Sequence, residues 1–208
     1  MKPLRSLAGS CLLKPVVSDP KDRHAPARWR TYKERHSTAM KGLLDDQIIQ
    51  EDAIDFDYVE GAGGKFVYDG QVTVCGRLVL SVTKVIAIFD ATTEKGNPVV
   101  QTKSYSYNLR IPGLGSVFRY CSPHPSKLGH EMKSDPDGQH HAFHHRHEFD
   151  PWGADEARFE GTVNYSPERQ NWPLLDAIIR EAAEWYREHE AAVLAAVPEA
   201  SLHFPERE

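Results

Sequence analysis

The chain has 208 residues, of which 40% are hydrophobic, and a formal net charge of −5. This length and composition suit one domain with a buried core, and no apolar run approaches the roughly 18 residues that a membrane-spanning helix needs. The three cysteines, Cys11, Cys75 and Cys121, are odd in number and lack ligand-like spacing, which excludes a disulfide scaffold and favours a reducing compartment. The N-terminus lacks the apolar core of a signal peptide, so we expect a cytoplasmic protein without a membrane anchor.

Charge is segregated along the chain. Residues 1–36 contain nine Lys/Arg and three Asp/Glu, whereas residues 148–208 contain five and fourteen. A net acidic chain is a poor passive coat for nucleic acid, because affinity for phosphate comes from Lys and Arg. Residues 101–147 contain six basic and three acidic residues together with seven of the eleven histidines. They are the candidate for an anionic-ligand site, the alternative being a solvated face without a function.

The N-terminal region is predicted to change character near residue 37. Residues 1–36 are polar, basic and rich in proline, which predicts an irregular basic arm. A helix is predicted to begin after Ser37 or Thr38, because the apolar residues that follow recur at helical spacing. Residues 37–208 are then expected to form a single domain. The glycines at 61, 63 and 64 are expected to interrupt regular secondary structure before the strands that follow.

From Lys65 onward a two-residue period predicts strands. Residues 65–75 are predicted to form a hairpin that turns at Asp69-Gly70, followed by a buried strand over 78–89. Residues 99–111 are predicted to form a strand whose odd-numbered side chains share one face and whose even-numbered side chains share the other. Residues 116–121 form the next strand. We therefore expect a contiguous antiparallel meander over residues 65–121.

A second helix is predicted over about 171–197, with Asn171 as its N-cap and Pro173 in its first turn. Residues 122–139 form a long polar loop, which is either functional or merely mobile. The predicted fold class is α+β, with a central antiparallel β-meander of about four to six strands flanked by an N-terminal and a C-terminal helix.

The densest chemical signal is the histidine run at residues 140–149. In an extended conformation His145 and His147 share one face, and His144 and Arg146 share the other. Imidazoles placed so closely titrate over a range near neutrality, which suits general acid and base catalysis. The same residues are also able to bind a divalent transition metal, and a structural role for a half-exposed strand is the third interpretation.

The order of several short sequence segments resembles that of a known protein family. Ser-Tyr-Ser-Tyr at 104–107 precedes Leu-Arg-Ile and a glycine turn, then Val-Phe-Arg-Tyr at 117–120, a His-Pro pair at 124–125 and His-His-Arg-His at 144–147. This order resembles the TumE-like toxins of bacterial toxin–antitoxin pairs over roughly Gly70 to Trp152. The chain departs from the family pattern in having Cys121-Ser122 where Asp-Asn is usual. It also has a longer segment before its histidines.

The resemblance implies a toxin that is neutralised by a cognate antitoxin protein, and we expect RNA as its target. Histidine and arginine together can supply the base, the acid and the phosphate contact that metal-independent RNA cleavage needs. The candidates are His144, His145, His147 and Arg119 for catalysis, and Tyr105, Tyr107, Arg110 and Arg146 for substrate binding. Tyr105 and Tyr107 would stack bases, and the acidic C-terminal helix would dock a basic antitoxin.

No metal or cofactor is expected. Arg119 and Arg146 would repel a bound metal ion, and the sequence places neither a carboxylate between His140 and His147 nor a cysteine near them. The alternative hypothesis, from a different functional class, is a non-enzymatic protein that binds a metal ion or a partner through the same histidine strand.

Overall fold

The computed structural model describes residues 24, 26–59, 65–90, 97–123, 144–152, 158–164 and 172–197. Within these ranges the chain forms eight strands and two helices. In chain order they are β1 (Ala27–Arg28), α1 (Trp29–Asp45), β2 (Ile54–Val59), β3 (Lys65–Val74), β4 (Leu78–Asp90), β5 (Val99–Ile111), β6 (Gly115–Cys121), β7 (His145–Asp150), β8 (Arg158–Asn164) and α2 (Leu175–Ala196). In these ranges, neither helix combines the length and apolar character that a membrane crossing requires.

Strands β2 to β8 lie side by side in chain order, and every neighbouring pair is antiparallel. The two-residue β1 pairs with the start of β5, with Ala27 opposite Val100. The predicted α+β fold, with its central antiparallel sheet flanked by an N-terminal and a C-terminal helix, is confirmed, and so is the meander over residues 65–121. The strands β2 and β8, which were not predicted, extend the sheet at its two edges.

Both helices contact the same face of the sheet, which we call the helix face. It carries Leu80, Val82 and Lys84 of β4, and residues of α1 and α2 are buried in the same core cluster. The opposite face, which we call the outer face, carries the side chains of the residues in between, such as Thr83 of β4. Because side chains alternate along a strand, each residue of β4–β7 belongs to one face only.

The prediction that α1 begins after Ser37 or Thr38 is wrong, because the helix begins at Trp29. The indole of Trp29 stacks on the ring of Phe66 with 4.0 Å between ring centroids, and both Trp29 and Tyr32 are buried. These aromatic residues anchor the first turns of the helix in the core. Residues 29–36 are therefore helical, and the rest of the predicted arm, apart from residues 24 and 26–28, lies outside the described residues.

The predicted hairpin turn at Asp69-Gly70 is also wrong, because β3 continues through both residues and the chain turns at 75–77. Gly70 serves a different purpose. A Cβ atom added there would overlap the carbonyl oxygen of Ala53, which precedes β2. The glycine therefore permits the close approach of two backbones. The turn itself uses Cys75 and Gly76, both with positive φ.

The alternation predicted over residues 99–111 holds only in part. Val100 and Thr102 are buried on the helix face, and the pattern then shifts so that Tyr105 and Tyr107 are buried on that face. The pairing explains the shift: Ser104 lies opposite Val85 but Thr102 lies opposite Ile86, which leaves Lys103 as the extra residue of a β-bulge.

The second helix, α2, begins at Leu175, not at Asn171 as predicted. Leu174 precedes it in an extended conformation without a side-chain cap, so Pro173 lies before the first turn. Asn171, like residues 124–139 of the predicted loop, lies outside the described residues. The predicted end of the helix near residue 197 agrees with the observed end at Ala196.

Candidate functional site

The outer face gathers cysteine and histidine side chains from β6 and β7. These strands pair antiparallel, with Cys121 opposite His145 and Arg119 opposite His147. Residues directly opposite in a sheet project to the same face, with Cβ atoms about 4.5–5.5 Å apart. The ladder therefore places two imidazoles, a thiol and a guanidinium next to one another.

The thiol and the two imidazoles form a compact group. A possible ligand atom from each of Cys121, His145 and His147 lies within 4.8 Å of the other two. The two imidazole rings meet edge to face, with 4.6 Å between centroids. All three residues are buried. The expectation that no cysteine lies near the histidines is wrong, because the register of β6 and β7 brings Cys121 beside them.

Such a group suits a transition-metal ion. Thiolate sulfur and imidazole nitrogen are preferred ligands of zinc and copper. Burial raises the pKa of the Cys121 thiol, and the charge of Arg119 and a contact with the Ser106 hydroxyl oppose this rise. The net direction is a raised pKa, so Cys121 is a protonated thiol here, and a metal ion bound at this group would have to displace the thiol proton.

Arg119 and Arg110 are the outer-face cations that the sequence singled out. The guanidinium of Arg119 lies over the ring of Phe149, 5.9 Å from its centroid, and Arg119 is only half-buried. Arg110 is exposed near the C-terminal end of β5. Both remain able to contact an anionic group that approaches this face.

His144 does not join His145 and His147. Its Nδ1 lies 2.8 Å from the hydroxyl of Tyr105, and its ring packs 4.6 Å from that of Trp172. Burial, helped by the charge of His145, lowers the pKa of His144 to about 4. The ring is therefore neutral near pH 7, and its Nδ1 shares one hydrogen bond with the Tyr105 hydroxyl.

Tyr105 and Tyr107 do not fit the predicted role of stacking bases. Both are buried on the helix face, with 2% and 0% of their surface exposed, and their rings stack on each other at 5.2 Å. A nucleic acid that reached His145 and His147 would meet the other side of the sheet. The bulge at Lys103 contributes to this placement.

Arg146 does not fit the predicted role of a phosphate contact either. Its guanidinium lies on the helix face, 3.1 Å from a carboxylate oxygen of Glu181 in α2 and 3.5 Å from Glu148. It also covers the rings of Phe118 and Tyr120. These contacts attach the histidine strand to α2.

Sequence reasoning missed a second polar group, on the helix face. The hydroxyl of Tyr68 lies 2.6 Å from Nδ1 of His36, whose Nε2 lies 2.8 Å from a carboxylate oxygen of Asp52. The buried Lys84 lies beside them. The one available signal was a lysine within the apolar strand over residues 78–89, at a position whose neighbours two residues away are apolar.

Comparisons of the chain with protein-family models, with curated proteins and with solved structures find no match.

Proposed function

We propose that the protein binds a transition-metal ion on the outer face of its sheet. The observation that carries this proposal is the convergence of Cys121, His145 and His147, whose ligand atoms lie within 4.8 Å of one another. Two neighbouring strands hold the three side chains, so little ordering is left to be done when the ion binds.

Zinc is the ion that these ligands suit best. Zinc sites with three protein ligands leave a fourth position for water or substrate, and a bound water there has its pKa lowered toward neutrality. Arg119, paired directly with His147, is placed to attract an anionic group toward that position. The three ligands and Arg119 together therefore suit a zinc site that acts on an anionic substrate better than they suit a purely structural zinc site.

The test is metal content and affinity in tag-free protein. We expect about one zinc per chain after reconstitution, and a loss of affinity of tenfold or more in C121S and H147Q. The control variants C75S and H189Q remove the same atom types elsewhere and should bind as the unchanged protein does. Equal loss in C75S, or no zinc binding by a folded protein, would overturn the proposal.

A second candidate is the toxin of a toxin–antitoxin pair, acting on RNA in the cytoplasm and neutralised by a cognate antitoxin. Two observations favour it. Three of the segments that carry the resemblance to TumE-like toxins, residues 104–107, 117–120 and 145–147, lie on the adjacent strands β5, β6 and β7. In addition, Arg119 and His147 form a cross-strand pair on one face, which offers a phosphate contact beside an imidazole.

Growth of cells that express the protein tests the second candidate. Expression should arrest growth, and co-expression of the protein encoded beside it should restore growth. R119Q should relieve the arrest, whereas R180Q, which changes an exposed arginine on α2, should not. Cleavage of RNA by purified protein that persists in excess chelator would favour metal-independent proton transfer by His145 and His147. Growth unaffected by expression would count against the toxin.

A further inference from the structure

Three aromatic rings form a row on the surface beside α2. The indole of Trp185, in α2, lies nearly parallel to that of Trp152, which follows β7, with 6.4 Å between ring centroids and 18° between ring planes. The ring of His189, one turn further along the helix, stacks on Trp185 at 4.3 Å. Trp152 is 39% exposed, and Trp185 and His189 are half-buried. We call these three residues the aromatic row, and it presents part of a large indole surface to solvent.

Hydrogen bonds and packing hold the aromatic row in place. The backbone N–H of Trp152 donates to Asp150 Oδ1 at 2.9 Å, which fixes the chain where it leaves β7. Nδ1 of His189 donates to the backbone carbonyl of Trp185 at 2.8 Å. Trp185 also packs against the core cluster. Because the rings are positioned in advance, a ligand that stacks on them loses little affinity to the ordering of side chains.

Two carboxylates flank Trp185 on the same helix. Glu184 precedes it and Glu188 follows it by three residues, and both are exposed. Within the described ranges of the chain, neither carboxylate makes an ion pair or a hydrogen bond. Residues four apart on a helix are neighbours, so the two negative charges repel each other. A cation that approached Trp185 from solvent would relieve this repulsion.

The two arginines of α2 do not neutralise these carboxylates. The Arg180 guanidinium lies 2.9 Å from a carboxylate oxygen of Asp46, which follows α1. The charge of Arg187 acts on the Cys75 thiol, where it opposes the rise in pKa that burial causes. Both cations of the helix are therefore directed toward other parts of the chain, and the surface around Trp185 keeps its negative charge.

We propose that the two indoles of the aromatic row, together with Glu184 and Glu188, bind an arginine side chain in a basic segment of a partner protein. A guanidinium is planar, so it can stack on an indole while its N–H groups donate to carboxylates. A lysine ammonium has no flat surface to stack, and the phosphates of a nucleic acid would be repelled by the two carboxylates. This surface shares no residue with the group of Cys121, His145 and His147, and binding there requires neither a metal ion nor toxicity.

The test is titration calorimetry of the full chain with three capped peptides, at constant low ionic strength. The peptides alternate alanine with arginine, with lysine or with glutamate. We expect saturable binding of the arginine peptide, an affinity about threefold or more lower for the lysine peptide, and no binding of the glutamate peptide. W152A should lower the affinity for the arginine peptide about tenfold, because the exposed indole is lost. E184Q/E188Q should lower it by a similar factor, because both carboxylates are lost.

Matched control variants keep the test decisive. E34Q/E51Q removes two exposed carboxylates elsewhere, and L194A removes an exposed apolar side chain of α2 outside the aromatic row; both should bind the arginine peptide as the unchanged protein does. Circular dichroism checks that each variant keeps its fold; if W152A does not fold, E184Q/E188Q and the lysine peptide decide. The proposal fails if the arginine peptide does not bind saturably or if the lysine peptide binds as tightly. It also fails if folded W152A binds unchanged, or if E34Q/E51Q weakens binding as much as E184Q/E188Q.

Discussion

Arg146 lies between His145 and His147 in the sequence, yet its guanidinium lies on the opposite face of the sheet, 3.1 Å from a carboxylate oxygen of Glu181. The Tyr120 hydroxyl donates to the other oxygen of that carboxylate at 3.0 Å. Strand β7 thus presents two of the three candidate metal ligands, His145 and His147, on its outer face and is attached to α2 through its helix face. A change in this ion pair should affect stability without removing a ligand.

Replacement of Arg146 by methionine should be strongly destabilising. The Arg146 and Glu181 side chains are each only 13% exposed, and removal of one partner leaves the other as a buried charge. We expect R146M to lower the free energy of unfolding by about 3–5 kcal/mol, measured by urea denaturation. The double variant R146M/E181M should recover most of this loss, because it removes both charges. A double variant as unstable as the sum of the two single variants would contradict this account.

The pH dependence of stability should report on Glu181. Burial raises the pKa of this carboxyl, although the charge of Arg146 lowers it. Between the unfolded and the folded pKa the folded protein binds more protons than the unfolded chain, so the free energy of unfolding falls as the pH rises through that range. E181Q should reduce this fall in denaturation curves measured at successive pH values above about 4.5. An unchanged slope would mean that other groups cause it.

Gly70 should not tolerate a side chain. Because a Cβ atom there would overlap the Ala53 carbonyl oxygen, G70A should separate β2 from β3 locally. We expect a loss of about 1–3 kcal/mol in the free energy of unfolding. G113A is a useful control, since Gly113 also has an unusual backbone conformation, at φ 78°, but a methyl group added there would meet no atom within 4 Å. Equal losses would point to backbone strain and not to the close approach.

Zinc should protect Cys121 from alkylation. In a C11S/C75S background Cys121 is the remaining thiol, and its burial predicts slow reaction with iodoacetamide in the folded protein. Added zinc should slow the reaction further, and H145Q should abolish this protection while the fold is retained. Alkylation at the same rate with and without zinc would argue that the thiol is not a ligand.

Local patterns were sufficient to predict part of this fold. The β-branched run over residues 78–89 and the alternation after it predicted β4 and β5, because these preferences act within a few neighbouring residues. The bulge at Lys103 gave no comparable signal, and it decides which face Thr102 and Tyr105 occupy. The start of α1 was missed because the aromatic contacts of Trp29, and not a long aliphatic period, stabilise it.

The candidate site was predicted less completely. His145 and His147 were correctly placed on one face from the two-residue period alone. Cys121 was missed because its position beside His145 depends on the register of β6 against β7, and a long polar segment separates the two strands in sequence. The hydrogen bonds that link Tyr68, His36 and Asp52 were missed because the three residues come from separate parts of the sequence.

The β6–β7 ladder also makes the outer-face group insensitive to the length of the segment that joins the two strands. Cys121 ends β6 and His145 begins β7, so the paired backbones fix their separation. The entropy cost of closing a longer connection grows only with the logarithm of its length. Insertions or deletions between residues 122 and 144 can therefore accumulate during evolution at small cost to the positions of Cys121 and His145.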